Sequence, residues 1–129
     1  MLLKQIMKRD PLTANDTDRL GDLHRKMVAA HSRHLPVLHD GKLVGVLSER
    51  DILEYRAKRD FDEDWWRAPA TAAMRTSPQT AGPDDSLTEA AGRMAMSKIG
   101  SLPIVERGKL IGLVTVTDVL DAEVAEAMR

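Results

Sequence analysis

Apolar residues recur along this chain with two different periods. Leu20, Leu23 and Met27 fall on one face of a predicted helix, and Leu87, Ala90, Ala91 and Met94 repeat that face later. Each helical pattern gives way to a short apolar run, 35–38 and then 102–105, which predicts a strand. His39-Asp40-Gly41-Lys42 is a hairpin signal, and 43–47 is the predicted returning strand. Residues 11–14 read as a short extended segment. Asn15-Asp16-Thr17-Asp18 is expected to cap the first helix, and Asp84-Asp85 to place acids at the start of the helix at Leu87. Ser48-Glu49-Arg50-Asp51 opens a further helix carrying Ile52, Leu53 and Tyr55. The predicted order is β-α-β-β-α.

That order occurs twice. Leu35-Pro36-Val37-Leu38 and Gly41-Lys42-Leu43-Val44-Gly45 return as Leu102-Pro103-Ile104-Val105 and Gly108-Lys109-Leu110-Ile111-Gly112, 67 positions later. From Met7 to Leu53 the offset holds without a gap and 15 of 47 positions are identical, a register too long for chance. The expected division is repeat one at 1–59, a linker at 60–70 and repeat two at 71–129. Repeats of about 50 residues are small for independent cores, so the expected α/β fold packs two β-α-β-β-α repeats sheet to sheet about a pseudo-twofold axis.

Composition narrows the function classes. The 129 residues carry net charge −1 from 19 basic and 20 acidic side chains, without the basic excess that phosphate-driven nucleic-acid binding usually shows. Residues 1–67 hold 13 basic and 12 acidic groups against 6 and 8 in the remainder, so any positive potential belongs to the first half. No apolar stretch approaches the roughly eighteen residues of a membrane span, and no secretion signal is evident. With no cysteine there is no disulfide, thiolate metal site or thiol nucleophile, and a cytoplasmic protein is the expectation.

The paired motifs resemble the CBS domain, a module found in tandem pairs that bind adenosine-containing ligands in the cleft between the copies. The resemblance rests on Leu35-Pro36-Val37, Gly41, Gly45 and Ser48-x-x-Asp51, and on Leu102-Pro103-Ile104, Gly108, Gly112 and Thr115-x-x-Asp118. It implies that Asp51 and Asp118 accept from ribose hydroxyls while Ser48 and Thr115 contact phosphate. It also implies that adenine lies against the main chain of Thr13, Ala14, Leu35 and Pro36, and of Thr80, Ala81, Leu102 and Pro103. The chemistry is sound: a carboxylate suits a vicinal diol, and a helix N-terminus offers free N–H groups to an anion. The same tetrapeptides are also capping boxes, and either role accounts for them locally.

Basic residues distinguish the copies. Arg33, His34 and Arg50 surround the first motif, whereas Gly100, Ser101 and Thr117 hold the matching positions of the second. The Asp51 site is therefore expected to take phosphate charge, and the other a less charged adenosine compound or nothing. His24, His31, His34 and His39 have no counterparts in repeat two and no acid at an evident ligand spacing, so no metal site is expected. Nor is there a nucleophile elbow or a phosphate loop, and no catalytic residue is assigned.

All four aromatic rings, Tyr55, Phe61, Trp65 and Trp66, fall within twelve residues around the linker. They read either as structural cover or as a partner surface. The leading expectation is a regulatory module without enzymatic activity or cofactor, sensing an adenosine-containing small molecule, forming a homodimer as the resemblance implies, and acting on an unidentified regulated protein. The alternative is an interaction module that binds no nucleotide and acts through dimer and partner contacts.

Overall fold

A computed structural model describes residues 1–129. Its elements are β1 (Lys8–Arg9), β2 (Ala14–Asn15), α1 (Leu20–Ala30), β3 (His34–His39), β4 (Lys42–Ser48), α2 (Glu49–Lys58), β5 (Arg75–Thr76), α3 (Leu87–Ser97), β6 (Ser101–Glu106), β7 (Lys109–Thr115) and α4 (Val116–Ala127). The α/β class and the duplicated β-α-β-β-α order match the sequence expectation. Both hairpins close through two left-handed residues, Asp40-Gly41 and Arg107-Gly108, the twist that suits a tight connection between antiparallel strands.

Two compact units form, and they cut across the repeats. One comprises residues 12–78, with a sheet in the order β2-β3-β4-β5; the other comprises 1–11 with 79–129, with the order β1-β7-β6. Each repeat therefore gives its opening segment to the unit built mainly from the other copy. β1 pairs antiparallel with β7, and β5, at the equivalent place 67 residues later, pairs antiparallel with β4. The division at 60–70 describes the repeat in sequence, whereas the units in space change at 11–12 and 78–79.

The exchanged segments are built into the cores. Leu3 and Met7 join Leu87, Met94, Leu102, Ile104 and Val114 in one cluster, while Ala70 joins Leu20, Leu23, Met27, Leu35, Val37 and Leu47 in the other. Two glycines make this possible. A Cβ on Gly45 would stand 2.7 Å from the Met74 sulfur and 2.8 Å from the Arg75 carbonyl oxygen, and one on Gly112 would stand 2.5 Å from the Met7 sulfur. Only a bare Cα lets the incoming chain lie this close to the strand.

Two capping expectations are corrected. The N-cap of α1 is Arg19, which makes no side-chain cap; Asp18 instead accepts from the Asn15 N–H, and Asp16 pairs with His39. The Leu20 N–H finds the Ala68 carbonyl at 2.8 Å, so the 3-10 turn around Trp65–Arg67 and the residues after it do the capping. Ser86, not Asp84 or Asp85, caps α3: its hydroxyl accepts from the Glu89 N–H, while Asp85 accepts from Gly82 and Asp84 pairs with Lys4.

The aromatic cluster belongs to the 12–78 unit. Trp65 is half-buried against its core, and the Arg56 guanidinium lies between the Trp65 and Phe61 rings at 4.8 and 5.3 Å from their centres. Trp66 lies against Gly21 of α1, between Arg19 and Arg67, and remains 39% exposed. No helix is long and apolar enough to cross a membrane.

Close approach at β4 gives a direct test. Gly45→Ala will lower stability by about 1–3 kcal/mol in urea unfolding, because backbone as well as a side chain must move. Gly92→Ala, in an exposed stretch of α3 with nothing within 4 Å, will leave stability unchanged or raise it by up to about 1 kcal/mol. Equal losses from the two would refute the packing argument.

Candidate functional site

β4 ends and α2 begins at the same residue. Ser48 closes the strand with extended backbone and serves as the helix N-cap; its hydroxyl accepts from the Asp51 N–H at 3.0 Å, and Asp51 Oδ2 accepts from the Ser48 N–H at 2.8 Å. The Thr115–Asp118 junction between β7 and α4 repeats this at 3.3 and 2.9 Å. In each unit the reciprocal bonds hold a carboxylate at the first turn of a helix whose N-terminus favours negative charge.

The residues expected around the first motif do gather. His34 lies opposite Ser48 across the β3–β4 ladder, and the Glu49 N–H donates to the Arg33 carbonyl at 2.9 Å, tying the start of β3 to the start of α2. Arg33 and Arg50 are exposed and form no ion pair. In the second unit Ser101, 7% exposed, takes the place of His34 opposite Thr115; the Val116 N–H donates to the Gly100 carbonyl at 3.1 Å, and Thr117 is exposed on the first turn of α4.

The positions assigned to adenine are more committed than sequence could show. Leu35 and Leu102 are fully buried, so their side chains serve the cores, and Pro36 and Pro103 are buried beside them. Ala14 pairs with Val37 in parallel register. The Ala81 N–H donates to the Pro103 carbonyl and the Ala81 carbonyl accepts from the Val105 N–H, at 3.1 and 2.9 Å. Each proline fits because its partner segment is too short to require an N–H there. The Thr13 carbonyl accepts from Lys26 Nζ at 2.6 Å and the Thr80 carbonyl from Arg93 at 2.9 Å.

Lys26 and Arg93 were not singled out from sequence, although both copies carry a basic residue at that offset. A second omission matters more. Arg75 of β5 places its Nε 3.2 Å from Asp51 Oδ1, so the carboxylate, only 5% exposed, has both oxygens engaged. Lys8 occupies the matching position on β1, yet the partly buried Asp118 carboxylate accepts only from Thr115 and its other oxygen has no partner. The units share a frame and differ in the state of the carboxylate.

The histidines form no metal cluster. His31 is the left-handed C-cap of α1, His34 opens β3, and His39 pairs with Asp16 and Asp40. Burial pushes His34 below the ordinary imidazole value of 6.5; the Asp51 carboxylate opposes that shift and Arg33 adds to it.

A duplicated β-α-β-β-α chain with a capped carboxylate at each strand-to-helix junction defines a tandem domain pair. The CBS domain family profile matches residues 3–58 and again 70–125, and the chain belongs to that family. It is 32% identical to a CBS domain-containing protein of Dictyostelium discoideum, over 94% of this chain and 90% of that protein. It is also 35% identical to an inosine-5'-monophosphate dehydrogenase of Korarchaeum cryptofilum, covering 89% of this chain but 23% of that enzyme. Two solved structures share the fold at 23% identity and 98% coverage of both chains. They are the CBS domain pair of MJ0100 in complex with 5'-methylthioadenosine and S-adenosyl-L-methionine, at a TM-score of 0.88, and CBSX2 in complex with AMP, at 0.82.

The lowered His34 value sets a pH dependence. The folded state disfavours the imidazolium, so the stability from a neutral His34 is fully present above 6.5 and declines as pH falls below it toward the lowered native value. Urea midpoints measured from about pH 7.5 to 5 will fall less steeply in His34→Gln than in wild type. Parallel profiles would show that His34 is not the group responsible.

Proposed function

We propose that this chain is a regulatory binding module that senses an adenosine-containing ligand and transmits its occupancy to another protein. The observation that carries this reading is Asp118: a carboxylate fixed by its own helix cap, with one oxygen left unpartnered at the N-terminal turn of α4. That is the acceptor a vicinal diol requires. The MJ0100 and CBSX2 complexes support the ligand class, since those proteins hold adenosyl compounds on the same fold. Around Asp51, the groups Arg33, His34 and Arg50 favour a ligand with phosphate charge. Adenine would rest on main chain at Thr13, Ala14, Leu35 and Pro36 in one unit, and at Thr80, Ala81, Leu102 and Pro103 in the other. Ser48 and Thr115 would turn from cap to phosphate contact, with Ser101 and Thr117 as the less charged surroundings of Asp118.

The working form we propose is a cytoplasmic homodimer without enzymatic activity, bound to neither nucleic acid nor membrane. Exposed Leu53 on α2 and exposed Leu120 and Val124 on α4 support the dimer, because leucines and valines this open gain from a partner helix. The exposed rings of Phe61 and Trp66 favour a second reading, docking of a protein partner without any nucleotide.

Thermal unfolding with millimolar adenosine, AMP, ADP, ATP or S-adenosylmethionine separates the two. A ligand at about 100 times its Kd adds roughly 2.7 kcal/mol, a rise of several degrees for a chain of this size. At least one of these compounds will raise the midpoint, and the double substitution Asp51→Ala with Asp118→Ala will remove the rise. No shift with any of them would leave the interaction module as the better account.

A further inference from the structure

We propose that Arg75 is a specificity-determining residue that closes the Asp51 site to uncharged nucleosides while the Asp118 site stays open to them. This rests on the reading of both carboxylates as diol acceptors. Asp51 is almost wholly buried, its Oδ2 is held by the Ser48 N–H, and its Oδ1 is taken by the Arg75 guanidinium at 3.2 Å. Both oxygens already hold a donor and the side chain is only 5% exposed, so a ribose diol reaches the carboxylate only by displacing Arg75. Arg75 is itself 60% exposed, so it can swing away without disturbing the core.

The exchange has an unfavourable balance for a neutral ligand. A guanidinium gives a buried carboxylate a charge-assisted hydrogen bond, and ribose hydroxyls replace it with neutral ones. A buried carboxylate that loses its cation also keeps its desolvation penalty. A ligand that brings an anionic group changes the balance, because the displaced guanidinium joins exposed Arg33 and Arg50 as a counter-charge at the start of α2. The equivalent register in the other unit holds Lys8, opposite Leu113 as Arg75 is opposite Val46, and Lys8 makes no bond to Asp118. One side chain thus separates two sites of the same frame.

Calorimetric titration with adenosine, which has the diol and no phosphate, and with AMP tests this. Wild type will bind one adenosine per chain, lost in Asp118→Ala, and two AMP. Arg75→Met will bind two adenosines, and Arg75→Gln will do the same, which guards against an idiosyncrasy of either variant. Lys8→Arg, by grafting the guanidinium beside Asp118, will weaken adenosine binding there about tenfold. Two adenosines on wild type, or one on both Arg75 variants, would overturn the role of Arg75 while leaving adenosine binding intact. Absence of binding by adenosine and AMP in every variant would instead remove the ligand reading itself, and this inference with it.

Discussion

The reciprocal hydrogen bonds between Ser48 and Asp51 hold the point where this fold changes period. Strand β4 runs directly into helix α2 with no loop between them, so a single residue must end one ladder and start another. An unaided junction would leave the first helical N–H groups without acceptors. The serine hydroxyl and the aspartate carboxylate satisfy two donors and, in doing so, fix the direction of the carboxylate. The Glu49 N–H uses the Arg33 carbonyl, so the start of β3 is tied to the same turn. Thr115 and Asp118 solve the same problem in the same way, with the Val116 N–H on the Gly100 carbonyl. Under the proposed function this one carboxylate would serve as both cap and ligand acceptor, and the structural role comes first.

A second constraint is that neither repeat finishes its own unit. The Leu20 N–H donates to the Ala68 carbonyl, and the Leu87 N–H to that of Met1, so helices α1 and α3 are each capped by an exchanged segment. Met7 and Met74 lie over bare Cα atoms at Gly112 and Gly45, which sets β1 against β7 and β5 against β4. A repeat of about 50 residues buries too little surface to stand alone, and borrowing ten or so residues supplies a further strand and part of the core. The exchange also delivers Arg75 and Lys8 to their places beside β4 and β7.

The periodic elements were legible because their signals are local. Helical spacing at Leu20, Leu23 and Met27, the Asp40-Gly41 turn and the Ser48-x-x-Asp51 box each lie within a few residues, and the offset of 67 doubled every one of them. What escaped was set by distance along the chain. Arg75 meets Asp51 across 24 residues, and its strand is two residues long, too short to carry a period. The capping expectation at 15–18 went astray for a related reason. Good capping side chains were present, but Asp16 and Asp18 found His39 and the Asn15 N–H, and a main-chain carbonyl from the exchanged segment reached Leu20 first. The aromatics were noticeable in sequence, yet only the fold showed that arginines interleave them.

Duplication explains why the two carboxylates can differ without either unit suffering. Each cap is complete with one carboxylate oxygen, so the second is free to diverge. Replacing a guanidinium by an ammonium at the exchanged strand changes that oxygen's partner and leaves ladder, cap and core untouched, since both Arg75 and Lys8 project from exposed positions. Arginine reaches the carboxylate with a fixed, planar fork, whereas the more strongly hydrated lysine remains in solvent. Burial then amplifies the difference: a contact of this kind on an open surface would be worth little, but Asp51 lies where water competes poorly for the pair. Arg33 adds positive charge on the same side and the neutral His34 ring adds polar nitrogens, where repeat two has Gly100 and Ser101, so the surroundings of Asp51 differ as a set rather than by a single substitution. A frame kept identical by packing thus carries two chemically distinct acceptors.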